Sequence, residues 1–427
     1  MTSTRPIGVD LFAGVGGMTL GFELAGFDVL AAVELDPVHC AAHEFNFPEW
    51  RVLCRSVADV TGKEIRQKSA IGDRDVDVVF GGPPCQGFSL MGKRELHDPR
   101  NTLLFEFVRV VRELDAKYFV LENVRGMTAG QHRQYLERVL AAFEDSGYDI
   151  ERQYRVLNAA NYGVPQGRQR LFLMGCRRGL KRPSYPPSTT QPARPECPSP
   201  RTGGPLSPTV REAIADLPDA DAFLALLETD EVLAEFGKPS PYGAMLRGLH
   251  PPNDWFGYDR SFNPRLLTGS IRTQHSAETQ RRFASTPPGT REAVSRFFKL
   301  HPEGISTTLR AGTSRTRGAH TSPRPIHYAY NRCITVREAA RLHSYPDWFR
   351  FHSTKWHGFR QIGNSVPPLL AKAVAQQVLN AMGGRPVKPR HAMPAGNKEL
   401  LTRRLNQYAA YYGVSDRVIP PRATARS

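Results

Sequence analysis

Short apolar runs alternate with segments of helical period through the first 124 residues, and this alternation restricts the possible folds more than any other feature. Five runs have the length and composition of buried strands: 7–12, 29–33, 51–57, 77–80 and 118–121. Helical spacing lies between them, at 18–25, 37–46 and 103–114. Strands that alternate with helices favour a parallel sheet with helices on its faces. The sequence therefore predicts an α/β fold built on a mostly parallel sheet.

A glycine loop joins the first predicted strand to the first predicted helix. It reads Ala13-Gly14-Val15-Gly16-Gly17, and Glu34 ends the second strand. Backbone at such a loop can approach a ligand closely, and a carboxylate at the end of the second strand can accept hydrogen bonds from ribose hydroxyls. Thr19 stands where the dinucleotide fingerprint has its third glycine. The loop predicts a nucleotide site, and nicotinamide binding stays open as an alternative.

A cysteine follows directly after another predicted strand, in the stretch VVFGGPPCQGFS. Glycines and prolines at 81–84 break the strand, and Cys85 comes next. Glu122 follows the strand at 118–121. Ligands of open α/β sheets bind at the carboxyl ends of the strands, so we expect Cys85 and Glu122 to share one site. Taken alone, a cysteine such as Cys85 would more often be a small buried side chain. A lone glutamate such as Glu122 would more often be a solvated end of a strand.

Positive charge is concentrated in two segments. The formal net charge is +16, and residues 260–324 carry 12 Lys and Arg against 3 Asp and Glu, while residues 383–427 carry 9 against 2. These two surpluses account for the whole net charge. Arginines interleaved with aromatic residues favour a nucleic acid partner, although a solvated basic face is the alternative.

No apolar run is long enough for a membrane span, the N-terminal residues lack a signal pattern, and the six cysteines show no metal-like spacing. We expect a cytoplasmic protein with free thiols and no metal.

A proline-rich stretch separates the strand-helix alternation from the second half of the chain. Residues 181–208 contain nine prolines and mark the passage into a second domain. We expect a first domain at 1–185, a second at 186–325, a return to the first at 326–383 and a basic tail at 384–427. Helices are predicted at 209–216, 220–236, 334–343 and 369–382. Within the tail only 398–412 has an amphipathic pattern, and the rest is expected to be loosely ordered.

Six motifs in order resemble those of the DNA (cytosine-5) methyltransferases of bacterial restriction–modification systems. They are DLFAGVGG, GGPPCQGFS, ENV, QGRQR, REAARL and GNSVPP. The resemblance covers about residues 7–176 and 305–382. It implies a Rossmann-like methyltransferase fold with a mostly parallel seven-stranded sheet, S-adenosyl-L-methionine as cofactor, and a smaller loop-rich target-recognition domain at about 186–325.

The resemblance also implies three sets of site residues. The cofactor set is Phe12, Gly14, Gly16, Gly17, Glu34, Ser56, Val57, Pro84, Asn364 and Ser365. The catalytic set is Cys85, Glu122, Arg168 and Arg170, with Arg168 contacting the base and Glu122, and Arg170 aligning the loop or a phosphate. The DNA-binding set is Gln86, Ser89, Thr308, Arg310 and Arg315. Family members usually carry an acidic residue where Ser56 stands, so the contact to adenine stays open.

The implied reaction transfers a methyl group to C5 of a cytosine flipped out of a specific double-stranded DNA site, through a covalent bond between Cys85 and C6. The chain is then expected to work as a monomer on DNA, with a cognate restriction endonuclease encoded nearby. Three alternatives remain open: a transfer RNA cytosine-5 methyltransferase, a catalytically silent DNA-binding module, and a nicotinamide oxidoreductase. The first usually carries a Cys-Phe-Thr element, which this sequence lacks.

Overall fold

The computed structural model describes residues 5–84, 102–194, 204–312 and 324–415. Four predicted site residues lie outside these ranges: Cys85, Gln86, Ser89 and Arg315. Among the described residues, no helix is both long enough and apolar enough to cross a bilayer.

One large sheet organises the described part of the first 180 residues. Its strands are β1 (Ile7–Leu11), β2 (Asp28–Glu34), β3 (Arg51–Cys54), β4 (Val78–Gly81), β5 (Tyr118–Val124), β6 (Tyr148–Ile150), β7 (Arg155–Asn158) and β8 (Gln169–Arg177). The order is β3-β2-β1-β4-β5-β8-β6, and β7 also pairs with β8. Strands β1 to β5 are parallel, and β8 is antiparallel to its neighbours. The predicted α/β fold is confirmed, with eight strands because both β6 and β7 pair with β8.

Helices cover both faces of the sheet. They are α1 (Gly17–Ala25), α2 (Pro37–Asn46), α3 (Gly62–Lys68), α4 (Leu103–Glu113) and α5 (Gln131–Asp145). Alternate residues of a strand point to opposite faces. Val78 and Phe80 of β4 accordingly join the core beside α1 and α2, while Val79 joins the core beside α3, α4 and α5.

The middle segment, defined as residues 204–312, has short elements joined by ordered loops. They are α6 (Val210–Ile214), β9 (Glu231–Leu233), α7 (Pro241–Leu246), β10 (Asp259–Arg260), β11 (Leu266–Thr268) and α8 (Ala277–Ser285). The helix predicted at 220–236 is wrong. Two short 3-10 turns occupy Ala220–Ala222 and Leu224–Leu227, and β9 then pairs antiparallel with β11. This pairing joins residues more than 30 positions apart, which a local pattern does not reveal.

The chain then returns to the sheet through α9 (Val336–Leu342), α10 (Lys355–Asn364) and α11 (Pro368–Ala381). Thr335 and Glu338 form a capping box at the start of α9, within the helix predicted at 334–343. Helix α11 packs directly on α1, where a Cβ placed on Gly21 would lie 2.3 Å from Cβ of Ala371.

The segment at 398–412, which the sequence predicts to be amphipathic, contains a helix, and residues 392–393, predicted to be loosely ordered, form a short strand. Strand β12 (Ala392–Met393) pairs with β10, and α12 (Leu405–Tyr412) lies beside α2. The hydroxyls of Tyr411 and Tyr412 both donate to the Glu44 carboxylate at 2.7 Å. Periodicity reveals the helix but not the tyrosine contacts that fix it.

Candidate active site

The order in which successive strands are added to the sheet changes direction between β1 and β4. These strands are neighbours, yet β1 leads to β2 on one side and β4 leads to β5 on the other. The carboxyl ends of strands at such a switch point form the usual ligand crevice of an open α/β sheet. Here the glycine loop leaves β1 and the Gly81–Pro84 loop leaves β4.

Glu34 holds the glycine loop at this crevice. Its carboxylate accepts hydrogen bonds from the backbone N–H groups of Gly14 and Asp36, both at 2.8 Å. Gly14 has a φ of +55°, and no atom of the described residues, apart from its chain neighbours, lies within 4 Å of where its Cβ would be. The predicted acid and glycine therefore lie together at this crevice.

The last sequence motif, GNSVPP, packs against the same loop. A Cβ on Gly17 would lie 2.4 Å from the Val366 carbonyl oxygen and 3.0 Å from Cβ of Ser365. The Ser365 hydroxyl donates to the Ile362 carbonyl at 2.9 Å, and Asn364 is exposed. On the other side of the loop, a Cβ on Gly16 would collide with the Phe47 ring at 2.5 Å.

The remaining predicted cofactor residues lie at the carboxyl ends of β1, β3 and β4. Phe12 follows β1 with a φ of +60°, and Pro84 follows β4 as the last described residue before Cys85. Ser56 follows β3 and caps a short turn by accepting from Ala58 N–H at 3.2 Å, while Val57 is buried. Their role toward a cofactor stays a prediction.

Glu122 lies within β5, diagonally across from an arginine of the neighbouring strand β8. Its Oε1 is 2.8 Å from Nε of Arg170, and both side chains are at most 15% exposed. Burial raises the pKa of Glu122, and the positive charges of Arg170 and Arg168 offset only part of that shift. The carboxyl therefore keeps a proton to a higher pH than an ordinary glutamate.

The loop that leads to Cys85 approaches this carboxylate closely. A Cβ on Gly82 would lie 2.5 Å from Oε2 of Glu122, so a larger residue there would displace this carboxylate. The Asn123 side-chain amide donates to the Pro83 carbonyl at 3.2 Å and ties β5 to the same loop. Glu122 and residues up to Pro84 therefore share one edge of the sheet.

The prediction that Arg168 contacts Glu122 is wrong, because Arg170 makes that contact. Arg168 is 1% exposed and its guanidinium donates to the carbonyls of Leu309, at 2.8 Å, and Gly363, at 2.7 Å. Burial and the nearby Arg170 charge lower the pKa of Arg168. The β5–β8 register pairs Val124 with Arg170 and so directs Arg170 to the carboxylate.

One of the predicted DNA-binding residues, Thr308, docks beside this arginine motif, and a second, Arg310, lies two positions further along the chain. The Thr308 hydroxyl donates to the Gly167 carbonyl at 2.5 Å, and Leu309 N–H donates to Oε1 of Gln166 at 3.2 Å. Leu309 is buried and Arg310 is exposed. The end of the middle segment is therefore attached to the strand that carries Arg170.

Sequence reasoning missed a buried polar network under the glycine loop. Thr19 Oγ1 donates to Oδ2 of Asp10 at 2.6 Å and lies 3.1 Å from Nε2 of His43. Burial raises the pKa of Asp10 to about 8 and lowers the pKa of His43 to about 3. Two features of the sequence could have indicated this network: the acidic residue Asp10 lies inside an apolar strand, and Thr19 stands where the dinucleotide fingerprint has glycine. Among the described residues, no cluster of three or more His, Cys, Asp or Glu could hold a metal ion.

Comparison with known proteins places the chain among methyltransferases. A family model described as C-5 cytosine-specific DNA methylase matches residues 8–380. The chain is 57% identical over 420 residues to the Type II methyltransferase M.XorII of Xanthomonas oryzae pv. oryzae, covering 98% of this chain and 95% of that relative. It is 32% identical over 377 residues to the Type II methyltransferase M1.HphI of Haemophilus parahaemolyticus, covering 87% of this chain and 86% of that relative. The crystal structure of an E. coli prophage-encoded DNA modification methyltransferase matches with a TM-score of 0.69 and 31% identity, covering 88% of this chain and 99% of that one.

Proposed function

Because the chain belongs to the C-5 cytosine-specific DNA methylase family, as a DNA (cytosine-5) methyltransferase of the Type II restriction–modification type, we propose that it methylates C5 of a cytosine flipped out of a specific double-stranded DNA site. S-adenosyl-L-methionine is the proposed methyl donor, and Cys85 is the proposed nucleophile. The observation that carries the proposal is the Glu122–Arg170 pair, which lies against Gly82, three residues before Cys85.

The described residues at the switch point fit this cofactor. None of the described residues beyond its chain neighbours crowds the Cβ position of Gly14, and Glu34 stands at the end of β2 with its carboxylate directed at the loop. We assign the remaining cofactor contacts to Phe12, Gly16, Gly17, Ser56, Val57, Pro84, Asn364 and Ser365. When bound, S-adenosyl-L-methionine supplies an electrophilic methyl group attached to a positively charged sulfur.

The side chains of this chain solve the main difficulty of the reaction, which is that C5 of cytosine is a weak nucleophile. The Cys85 thiolate adds to C6, and Glu122 donates its proton to N3, so electron density accumulates at C5. Arg170 then pairs with the Glu122 carboxylate that this proton transfer leaves. After methylation at C5, water takes the C5 proton, N3 returns its proton to the Glu122 carboxylate, and Cys85 leaves C6 as its thiolate, which restores the aromatic ring.

A cytosine inside a stacked duplex is out of reach of these groups, so the base must be flipped. The basic residues at 260–324 support DNA as the partner. We assign DNA contacts to Gln86, Ser89, Thr308, Arg310 and Arg315, and target recognition to the domain at 186–325. The Type II names of the relatives support a role as the modification enzyme beside a cognate endonuclease. We further propose that the chain acts as a monomer on DNA, in the cytoplasm.

The deciding experiment is methylome sequencing of DNA from cells that lack cytosine-5 methylation and express this chain. We expect 5-methylcytosine in one short sequence context with the intact protein and with Cys333→Ala, a thiol remote from the sheet edge, but none with Cys85→Ala. If a folded protein that binds S-adenosyl-L-methionine methylates no DNA, the proposal is wrong. Bisulfite sequencing of transfer RNA from the same cells then tests the RNA alternative.

A further inference from the structure

The described chain continues beyond residue 380, where the match to the family model ends, and folds back on α2. A 3-10 turn at Lys398–Leu401 lies beside α2, and the Leu401 carbonyl accepts from Ser353 N–H at 2.9 Å. The hydroxyl of the buried Tyr408 donates to the Leu400 carbonyl at 2.8 Å and joins α12 to this turn. Helix α12 is therefore held in one position against α2.

Two tyrosines at the end of α12 bind the same carboxylate but lie in different surroundings. Tyr411 and Tyr412 both donate to Glu44 of α2 at 2.7 Å. Tyr411 is 48% exposed, and its ring centroid lies 4.7 Å from Cζ of Arg403. Tyr412 is partly buried, and burial together with the nearby Cys40 and Glu44 raises the pKa of its hydroxyl, which therefore stays a neutral donor. The two tyrosines form a matched pair, of which one lies against the interior.

Gly413 ends α12 and turns the chain back toward the interior. It has a φ of +64°, and its N–H donates to the Ala410 carbonyl at 3.3 Å. The N–H of Val414 donates to the Ala409 carbonyl at 2.9 Å. This is the Schellman arrangement, in which the residue after the glycine folds back on the last turn of the helix. Val414 accordingly lies beside the end of the helix and packs inward with Tyr412.

Tyr412 and Val414 pack against a small apolar cluster between the glycine loop, β2, β3 and α2. The buried members of this cluster are Ala13, Ala32, Cys40, Val52 and Cys54. Ala13 directly precedes Gly14, and its N–H donates to the Val33 carbonyl of β2 at 3.1 Å. The end of α12 therefore packs on the same cluster as the start of the glycine loop.

Two thiols connect this cluster to the acid that holds the loop. Cys40 Sγ donates to the Glu34 carbonyl at 3.3 Å, and Cys54 Sγ donates to the Leu35 carbonyl at 3.8 Å. Burial, a hydrogen bond with Cys54 and the charge of Glu34 raise the pKa of Cys40, so this thiol keeps its proton and remains a donor. The Glu34 carboxylate in turn accepts from Gly14 N–H at 2.8 Å. A series of contacts thus runs from the end of α12 through Cys40 and Glu34 to the loop.

We propose that Tyr412 and Val414 are positioning residues of the cofactor site, and that their packing holds Glu34 and the glycine loop in the arrangement that binds S-adenosyl-L-methionine. This inference rests on the proposed cofactor and adds to its site a segment beyond residue 380. The two residues act through the cluster and do not touch the cofactor. A site whose supporting side chains are packed binds more tightly, because less ordering is required when the ligand arrives.

The test measures binding of S-adenosyl-L-methionine to the full chain by calorimetry, in the absence of DNA. Tyr412→Ala removes a ring from the cluster, and Val414→Ala removes two methyl groups without changing the bonds to Glu44. Tyr411→Ala is the matched control, because it removes an equal bond to Glu44 together with an exposed ring. Tyr412→Phe removes only the hydroxyl. Thermal unfolding verifies that each variant is folded at the temperature of the measurement.

We expect the Kd for S-adenosyl-L-methionine to rise about tenfold in Tyr412→Ala and about threefold in Val414→Ala, which removes fewer atoms. Tyr411→Ala should bind the cofactor as the intact protein does, and Tyr412→Phe, which keeps the ring, should retain most of the affinity. In steady-state methylation of a duplex that contains the site, the KM for the cofactor should rise in the two cluster variants. The KM for DNA and kcat should stay close to those of the intact protein.

An unchanged Kd in both cluster variants overturns this inference and leaves the methyltransferase function standing. An equal loss in Tyr411→Ala, or equal rises in the KM values for cofactor and for DNA, also overturns it, because α12 would then stabilise the fold as a whole. If Tyr412→Ala does not fold, Val414→Ala decides the question. An intact protein that binds no S-adenosyl-L-methionine overturns the proposed cofactor and this inference together.

Discussion

Arg170 and Glu122 face each other across antiparallel strands, with Nε and Oε1 2.8 Å apart in a nearly buried setting. The strand register pairs Arg170 with Val124, two residues beyond Glu122 on the same face of β5. Burial and positive charge act on the carboxyl in opposite directions, and its pKa remains above the ordinary value. A carboxyl group in this state can hold a proton and release it when a base ring takes on negative charge.

We expect Glu122→Gln to lower the rate of methyl transfer by about 10²- to 10⁴-fold, because an amide cannot donate a proton at N3. Single-turnover transfer of a labelled methyl group to a duplex containing the site measures this rate. Affinity for the duplex should be unchanged. Glu64→Gln, on the surface helix α3, is the control and should behave as the intact protein does. A rate within tenfold of the intact enzyme would remove the proton donor role from Glu122.

The pH profile of the same rate gives a second check. The protonated form of Glu122 is present below its pKa, and this pKa is raised. Transfer that depends on Glu122 should therefore decline as pH rises through the raised pKa, and this decline should be missing from the residual activity of Glu122→Gln. A variant with the same decline as the intact enzyme would assign the profile to another group.

Arg170→Ala should lower the rate by about 10²- to 10³-fold, because it leaves the Glu122 carboxylate without its ion-pair partner. Arg170→Lys keeps a positive charge and should retain more activity than Arg170→Ala, although lysine lacks the rigid geometry of the guanidinium group. The informative measurement is the pH profile of Arg170→Lys and Arg170→Ala, since loss of the cation raises the pKa of Glu122 further. Equal activity in both variants would contradict an electrostatic role.

The sequence predicts the parallel strands of the sheet better than it predicts individual pairings. The apolar runs and glycine loop predict β1 to β5 and place Glu34 at the end of β2, because those signals are local, although β5 continues two residues beyond Glu122. Which arginine meets Glu122 depends on the β5–β8 register, and β9 forms only by pairing with β11. Such contacts between residues far apart in the chain leave no periodic signal, which explains both errors.

Arg168→Ala should destabilise the protein by about 3 kcal/mol, because the buried carbonyls of Leu309 and Gly363 would lose their donor. Since Leu309 adjoins Thr308 and Arg310, the KM for DNA should rise more than kcat falls. Addition of guanidinium ion at low concentration should restore part of the DNA affinity by filling the vacated space. A variant with normal stability and a reduced kcat alone would instead place Arg168 at the reacting base.

Asp10→Asn should make the stability of the protein less dependent on pH between about 4 and 8. The folded protein keeps Asp10 protonated up to about pH 8, whereas the unfolded chain releases this proton near pH 3.8. The folded state thus binds the extra proton, and the stability of the intact protein falls as pH rises through this window. Asparagine still accepts from Thr19 and carries no titratable proton. Thermal unfolding of both proteins at pH 6.5 and 8 tests this prediction. If the melting temperature changes equally with pH in both proteins, a group other than Asp10 causes the pH dependence.

Gly21→Ala should lower the melting temperature by several degrees, although alanine in a helix is ordinarily more stable than glycine by about 1 kcal/mol. The added Cβ would lie 2.3 Å from Cβ of Ala371 and 2.8 Å from the Lys372 nitrogen and the Pro368 carbonyl oxygen. Such overpacking costs about 1–3 kcal/mol and would push α11 away from α1. The motif before α11 packs on Gly17, so affinity for S-adenosyl-L-methionine should fall as well. The double variant Gly21→Ala/Ala371→Gly removes the shortest of these contacts and should recover part of both losses. If Gly21→Ala instead stabilises the protein, the added Cβ is accommodated without strain. The close approach of α1 and α11 at Gly21 would then not be what holds the cofactor loop in place.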